Sequence, residues 1–264
     1  MTARMRGVPM LALVLGGSLA CEAVANIQDF TYVEPTDTQA DGGLDAGGDA
    51  ALSNGCPSGR GPRMVRIGTL CVDATEVTEE QYRAFLAGDP GTPPAACAWN
   101  SSYAPGESPD GTPICFPAGG PFPQGCVDFC DATMFCRWAG KQLCSADQWA
   151  FACGEAGAYP YGPTYDPRAC NGRDRDAGRI TPAGSLASCE GASPGLFDMS
   201  GNVWEWVDGC TPSDAGAPAA KDACRIRGGS VTDEAEKLRC AATSSPTRDF
   251  MQYNVGFRCC APAR

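Results

Sequence analysis

The fold is decided by residues 195–206, which read GLFDMSGNVWEW. Asp198 and Glu205 flank a Ser-Gly-Asn turn in this segment, and Trp204 and Trp206 alternate with Glu205. Alternation in an extended chain places both indoles on one face, which predicts that the turn is fixed to an apolar core. The turn carbonyls and the two carboxylates would form an all-oxygen pocket suited to Ca²⁺. A hydrogen-bonded turn without an ion fits the same spacing, and spacing alone slightly favours it.

The cysteine content indicates an oxidising compartment. The chain of 264 residues has 17 cysteines and no histidine. Setting Cys21 aside leaves an even number between Cys56 and Cys260, which is typical of a disulfide framework in a secreted protein. Cysteine-only zinc sites are the alternative, but the chain contains no C-x-x-C pair. The absence of histidine excludes Ser-His-Asp and Cys-His catalysis and any histidine-ligated metal centre.

The charge distribution argues against nucleic acid as a partner. The formal net charge is −11, and residues 22–54 contain acids but no lysine or arginine. No basic cluster is available for phosphates or anionic lipid headgroups. An unidentified protein or small ligand is therefore the expected partner.

The N-terminal region predicts export. Residues 1–20 have the pattern of a signal peptide, with two arginines, a short apolar run and then small residues. The Ser-Leu-Ala that precedes Cys21 resembles a bacterial lipobox, in which this cysteine is acylated. Simple secretion with cleavage after residues 23–25 is the alternative. We therefore expect an extracytoplasmic lipoprotein that meets the membrane only through its N-terminal lipid.

The remainder divides into a tether and one domain. Residues 21–54 are acidic and rich in Gly and Ala, which predicts a flexible tether. Residues 55–264 are expected to form an irregular α+β domain that is rich in loops and dense in disulfides. A strand is predicted over residues 64–72, followed by three helices with these N-caps: Thr78, Asp128 and Ser145. Asp73 and Glu76 are interpreted as solvated residues that lead into the first helix.

Six segments together resemble the formylglycine-generating enzyme family, also called the sulfatase-modifying-factor domain. They occur in the family's order and cover nearly the whole domain. By residue number they are 76–82, 127–141, 143–149, 195–206, 227–230 and 254–259. The resemblance implies a loop-rich variant of the C-type-lectin-like fold.

The resemblance also implies calcium as a structural cofactor. The implied ligands are the Asp198 side chain, the carbonyls of Gly201 and Val203, and the Glu205 carboxylate. A second family site lies upstream. Asn171 matches its first ligand, and only Asp174 or Asp176 is available there to supply an acid.

The resemblance implies two core disulfides, Cys136–Cys259 and Cys153–Cys240. The family pattern does not cover the other cysteines, and connectivity cannot be deduced from sequence. From position alone, the expected pairs are Cys130–Cys144, Cys170–Cys189 and Cys210–Cys224.

One departure from the family concerns catalysis. The family uses two cysteines between its Gly-Gly-Ser turn and its Arg-Cys-Ala strand; they bind copper(I) and activate O₂ to oxidise a sulfatase cysteine to formylglycine. Residues 231–239 contain no cysteine here, and Cys240 matches a structural position. Carboxylates are poor copper(I) ligands, so no copper is expected.

These observations predict a non-catalytic module that binds a ligand or partner through the family's substrate groove, near Ser230, Trp204 and Trp206. The alternative is an active formylglycine-generating oxidase that uses a displaced cysteine pair, with Cys260 as one candidate. A purely structural envelope protein is a third hypothesis. Whether the chain is an enzyme stays open, with the balance against it.

Overall fold

The computed structural model describes residues 55–106, 119–154, 158–175, 177–191 and 193–264. The helices in these ranges are α1 (Glu79–Leu86), α2 (Phe129–Trp138) and α3 (Ala146–Cys153). The strands are β1 (Met64–Ile67), β2 (Leu70–Asp73), β3 (Gln142–Leu143), β4 (Trp204–Thr211), β5 (Ala223–Arg227), β6 (Thr243–Ser244), β7 (Val255–Phe257) and β8 (Cys259–Pro262). Short elements joined by long loops confirm the predicted irregular α+β architecture.

Each helix begins with a capping box, as the three predicted N-caps require. In each box the N-cap side chain accepts from the N3 backbone N–H, and the N3 side chain accepts from the N-cap backbone. Two orphan N–H groups of the first turn are satisfied in this way. The N-cap and N3 pairs are Thr78 with Gln81, Asp128 with Asp131, and Ser145 with Gln148.

The strands form two four-stranded sheets. One has the order β1-β2-β8-β3 and is antiparallel throughout, and the other has the order β6-β5-β4-β7. In the second sheet β4 is antiparallel to β5 but parallel to β7. Arg258 is the single residue between β7 and β8, so it lies where the chain passes from one sheet to the other.

The single strand predicted over residues 64–72 is wrong. The segment forms the hairpin β1–β2, in which Ile67 pairs with Leu70. Gly68 lies in the turn with φ +63°, a left-handed conformation that glycine adopts without steric cost. The two apolar runs on either side of this glycine are therefore two short strands.

The turn of residues 195–206 lies between two apolar clusters. Trp204 and Trp206 belong to a cluster that contains much of α1, α2 and β7. Leu196 and Met199 belong to a second cluster around Trp149 of α3. The predicted fixing of the turn to the core is confirmed on both sides.

Disulfides connect segments that are distant in sequence. Cys136 bonds to Cys259 and Cys153 to Cys240, the two pairs that the family resemblance implies. The structure also contains Cys170–Cys189 and Cys210–Cys224 as expected from position. Further pairs within the described ranges are Cys56–Cys71, Cys97–Cys130 and Cys144–Cys260.

The expected pair Cys130–Cys144 is wrong. Cys130 lies in the first turn of α2 and bonds to Cys97, in a short 3₁₀ turn over Ala95–Cys97. Cys144 follows β3, whose pairing with β8 sets Leu143 opposite Cys259 and brings Cys144 beside Cys260. Strand pairing, which the sequence pattern did not reveal, decides this connectivity.

All fifteen cysteines of the described ranges are disulfide-bonded. Disulfides in this number indicate an oxidising, extracytoplasmic environment. Within the same ranges no helix has the length and apolar character needed to cross a bilayer. The predicted signal peptide (residues 1–20), the tether (21–54) and the lipidation site Cys21 lie outside the described residues.

Candidate functional site

The Ser-Gly-Asn turn has an unusual backbone. Asp198, Gly201 and Asn202 all have positive φ, between +58° and +78°. A Cβ atom on Gly201 would lie 2.6 Å from the backbone oxygen of Asn171, so this position also requires glycine for space. Asp and Asn tolerate the left-handed region better than other side chains. The residue types of the turn therefore match its geometry.

Asn202 connects three other segments to the turn. Its Nδ2 donates to Glu76 Oε1 at 3.0 Å, and its Oδ1 accepts from Asn171 Nδ2 at 3.0 Å. The same Oδ1 accepts from the Thr181 backbone N–H at 3.0 Å. The turn thus holds the start of α1 and the 171–181 loop in fixed positions.

Glu205 pairs with Arg258. Arg258 Nη2 donates to Glu205 Oε1 at 2.6 Å, and Arg258 Nε donates to Oε2 at 2.7 Å. Trp149 Nε1 also donates to Oε2, at 2.7 Å. Both side chains of the ion pair are fully buried, so this is a desolvated bidentate salt bridge.

Two other carboxylates of the site are incompletely paired. Asp198 Oδ2 accepts from the Gly184 N–H at 2.6 Å, while Asp198 Oδ1 is buried without a hydrogen-bond partner. Glu76 Oε2 is likewise buried and without a partner. Burial raises the pKa of Asp198 to about 6, and burial together with the Asp198 charge raises the pKa of Glu76 well above its usual value.

Asp73 and Glu76 are both fully buried, so the interpretation of these residues as solvated is wrong. Asp73 forms a buried salt bridge with Lys141, at 2.5 Å between Oδ1 and Nζ. Its Oδ2 accepts from the Cys259 N–H at 2.9 Å. The segment before α1 faces the interior, where Glu76 Oε1 accepts from Asn202 Nδ2 and the Val77 N–H donates to the Phe257 carbonyl of β7. The sequence alone does not distinguish such a buried segment from a solvated helix cap.

The calcium ligands implied by the family fit only in part. Asp198 offers a free oxygen, and the backbone of Gly201 and Val203 is buried beside it. Glu205 differs, because Arg258 and Trp149 engage both of its oxygens. Among the described residues no three acidic or cysteine side chains converge as a metal site.

The upstream calcium site stays a prediction. Asn171 Oδ1 is buried and has no hydrogen-bond partner, which suits a ligand oxygen. Asp174 is exposed and its Oδ2 accepts from the Tyr165 hydroxyl at 3.0 Å. Asp176, the other acid considered, lies outside the described residues.

Asp233 occupies the interval in which the family places its copper-binding cysteines. Its Oδ2 accepts from Ser230 Oγ at 2.6 Å and from the Ser230 N–H at 3.0 Å. Trp204 Nε1 donates to the same oxygen at 2.9 Å. This carboxylate therefore fixes Ser230 and Trp204 in place. The role of Asp233 was missed in the sequence, although its position three residues after Ser230 could have indicated it.

Asn254 completes this polar cluster. Its Nδ2 donates to Ser230 Oγ at 2.9 Å and to Thr232 Oγ1 at 3.3 Å. The hydroxyl of Ser230 thus accepts from Asn254 while it donates to Asp233. The cluster is satisfied internally apart from Asn254 Oδ1.

The three residues predicted to line a groove are buried. The exposed fractions are 0% for Ser230, 7% for Trp204 and 0% for Trp206. Trp206 packs edge-to-face on Phe129, and its Nε1 donates to the Val127 carbonyl, so it is a core residue. Both faces of β4 are buried over residues 204–207, so both indoles lie in the interior and line no groove. The accessible surface at this site belongs instead to Thr232, which is exposed, and to Tyr253, which is 50% exposed.

The cysteines nearest to the site are oxidised. Cys240 bonds to Cys153, and Cys260 bonds to Cys144. All four sulfurs belong to buried residues. Neither cysteine offers a thiolate for a metal.

The comparisons with known proteins establish the family. The family model described as "Sulfatase-modifying factor enzyme 1-like domain" matches residues 8–263. The chain therefore belongs to this family. PvdO from Pseudomonas aeruginosa has a similar solved structure, with a TM-score of 0.54 over 74% of this chain and 80% of that one, at 24% identity. The fold is thus the C-type-lectin-like variant expected for the family.

Relatives of two kinds are similar to the chain. The "Inactive C-alpha-formylglycine-generating enzyme 2" of Mus musculus is 32% identical over 52% of this chain and 48% of its own length. The "Formylglycine-generating enzyme" of Streptomyces coelicolor is 30% identical over 83% of this chain and 86% of its own length. The chain spans about half the length of the mouse and bovine inactive relatives, with 48% and 51% covered. Similarity alone therefore fits an active or an inactive member.

Proposed function

We propose that this chain is a non-catalytic member of its family, an extracytoplasmic module that binds a protein or small ligand. The observation that carries the proposal is the Asp233 carboxylate, which accepts three hydrogen bonds in the interval that holds copper-binding thiolates in the family. A carboxylate is a hard ligand and copper(I) prefers soft sulfur. The copper chemistry of the family therefore has no ligands there.

The disulfides support the same proposal. An enzyme that uses a displaced cysteine pair needs two free thiols close together. Every described cysteine is bonded, including Cys240 and Cys260. The name of the mouse relative shows that inactive family members exist.

The binding surface is the exposed part of the site. Tyr253, which precedes the buried Asn254, is half exposed, and Thr232 is exposed although its hydroxyl accepts from Asn254 Nδ2. Exposed aromatic side chains are favoured at binding surfaces because they bury a large area at low conformational-entropy cost. The cluster of Ser230, Asp233 and Asn254 beneath would hold this surface rigid.

The proposal also includes the location and the structural metal. Lipid attachment at Cys21 would hold the module at a membrane, and the seven disulfides between described cysteines agree with an oxidising compartment. A structural calcium ion is supported by the unpartnered buried oxygen of Asp198. When bound, such an ion would neutralise buried negative charge and stabilise the turn.

The test is an oxidation assay on a cysteine-containing sulfatase-motif peptide. The purified domain is incubated with the peptide, copper(I), a thiol reductant and air, and formylglycine is measured by mass spectrometry. The Streptomyces coelicolor relative provides the positive control. We expect conversion indistinguishable from the protein-free background, together with no stoichiometric binding of copper(I) in competition with a chelator. Conversion above background would contradict the proposal and would favour the alternative of a displaced cysteine pair.

A further inference from the structure

We infer that Cys210–Cys224 is a site of thiol–disulfide exchange, at which an external dithiol attacks Cys210 and reduces the bond. The family resemblance does not cover these two cysteines. Trp204 begins β4 and Cys210 lies near the other end of this strand, so the pair is separate from the proposed binding surface. The inference therefore goes beyond the proposed function and does not depend on it.

Exposure distinguishes Cys210 from the other cysteines that the structure describes. Of the fifteen cysteines in the described ranges, it is the one that is not buried. Exchange begins when a thiolate attacks a disulfide sulfur, so the rate depends on access to that sulfur. Its partner Cys224 is fully buried, which directs the attack to Cys210 Sγ.

The segment that follows Cys210 has only small side chains. Residues 211–220 read TPSDAGAPAA, and most of them are exposed. The segment is fixed at Asp222, whose Oδ1 accepts from the Ser213 N–H at 3.0 Å and whose Oδ2 accepts from Arg248 Nη2 at 2.8 Å. No bulky side chain of residues 211–220 can therefore cover Cys210 against a macromolecular dithiol.

Strand pairing keeps the two sulfurs together after reduction. Cys210 and Cys224 are directly opposite each other in the β4–β5 ladder, and the next pair is Thr211 with Ala223. The Cys224 N–H also donates to the Pro246 carbonyl at 2.8 Å. These contacts do not involve the sulfurs, so they hold the reduced residues opposite each other. Because neighbouring groups in fixed positions react as if at high concentration, the reduced pair closes again without refolding of the domain.

The exchange proceeds in two steps through a mixed disulfide. One thiolate of the dithiol attacks Cys210 Sγ, and Cys224 leaves as a thiolate that takes up a proton. The second thiol of the dithiol then attacks the sulfur of its own molecule in the mixed disulfide, and Cys210 leaves as a thiol. Two electrons pass to the protein, and the dithiol becomes a disulfide.

Graded reduction of the wild-type protein tests the site. The purified protein is treated with dithiothreitol, a dithiol, for increasing times, then alkylated and mapped by mass spectrometry. The matched controls are Cys56–Cys71 and Cys170–Cys189, whose sequence separations of 15 and 19 are close to the 14 of the inferred site. We expect the cysteines of the inferred site to be labelled faster than the controls by about tenfold or more. Equal labelling rates, or earlier reduction of a buried pair, would overturn the inference.

Two single variants test which sulfur is attacked. Cys224→Ser leaves the Cys210 thiol and Cys210→Ser leaves the Cys224 thiol, and both lose the same disulfide, so the two proteins are matched in stability. Each is treated with oxidised glutathione, and formation of the mixed disulfide is followed by mass spectrometry. We expect the Cys210 thiol to react about tenfold faster or more. Similar rates, or faster reaction of Cys224, would overturn the assignment of Cys210 as the attacked residue.

Discussion

Arg258 forms buried hydrogen bonds to several separate segments of the chain. Besides its two bonds to Glu205, its Nη1 donates to the Asp73 carbonyl and its Nη2 to the Phe197 carbonyl, both at 3.0 Å. The guanidinium therefore contacts the end of β2, Phe197 immediately before Asp198, and Glu205 of β4. Because it lies between β7 and β8, it connects the two sheets.

The Arg258–Glu205 pair gives a prediction for stability. Glu205→Gln leaves a buried guanidinium without its counter-ion, and we expect the free energy of unfolding to fall by about 3–5 kcal/mol. Urea denaturation followed by tryptophan fluorescence measures the change. The control is Glu236→Gln, which breaks an i,i+3 pair with Arg239 at a glutamate whose side chain is 83% exposed. The control should shift stability by at most about 0.5 kcal/mol. Equal effects in the two variants would contradict the structural role of the buried pair.

For single residues, the sequence predicted some members of the site but not the partners that they contact. It indicated Asp198 and Glu205 through their spacing about the turn, but not that Arg258 would engage Glu205, because the two residues are 53 positions apart. It also gave no sign that Glu76 is buried. Those facts depend on long-range contacts, such as those of the segment before α1 with Asn202 and with Phe257 of β7.

The N-terminus of α2 contains two buried carboxyl groups with raised pKa values. Asp128 and Asp131 form the capping box, and Asn100 Nδ2 donates to Asp131 Oδ1 at 2.8 Å. Burial raises the pKa of Asp128 to about 7, and burial with the Asp128 charge raises that of Asp131 well above its usual value. Asp249 and Arg248 are the other charged groups that act on Asp128, with opposite effects on its pKa.

This element gives a prediction for pH dependence. An unfolded aspartate has a pKa of about 3.9, so between about pH 4 and pH 7 the native state holds a proton that the unfolded state releases. The stabilisation from Asp128 is thus complete below about pH 4 and is lost as the pH rises to about 7. Asp128→Asn keeps a good N-cap and removes the titration. The wild type should therefore lose stability relative to this variant over that window, measured as urea midpoints at several pH values. Parallel curves for the two proteins would contradict the raised pKa.

Helices could be predicted where residues close in sequence mark the helix start. The three capping boxes could be recognised because each N-cap and N3 residue is three positions apart in the sequence. The β1–β2 hairpin was missed because apolar residues continue through the segment, and only Gly68 marks the turn. Alternation predicted that Trp204 and Trp206 share one face, but it predicted neither the burial of both faces of β4 nor the contact of Trp206 with Phe129 of α2.

The molecule as a whole is held together by contacts across long sequence separations. Cys136–Cys259 and Cys144–Cys260 join residues 123 and 116 positions apart, and both attach to β8. In the chain-entropy model, disulfides that close loops of this length stabilise the fold by several kcal/mol each. Cys260, a residue beyond the family pattern, therefore strengthens the scaffold.

The family and fold could be recognised from six short segments, yet the extra disulfides could not be assigned. Connectivity depends on strand order, which places β3 beside β8 and so brings Cys144 to Cys260. The lack of a cysteine between Ser230 and Cys240 was visible in the sequence. That the Asp233 carboxylate in this interval accepts three hydrogen bonds required the structure.

The proposed lack of catalysis requires that no two neighbouring cysteines of the described ranges are free thiols. The most direct measurement is alkylation of the native, unreduced protein, followed by peptide mapping in mass spectrometry. We predict Cys144–Cys260 and Cys153–Cys240 as intact links and no alkylation at any cysteine of the described ranges. Finding Cys240 and Cys260 both alkylated, with Cys144 and Cys153 unlinked to them, would contradict the claim and would identify the pair to mutate in an active enzyme.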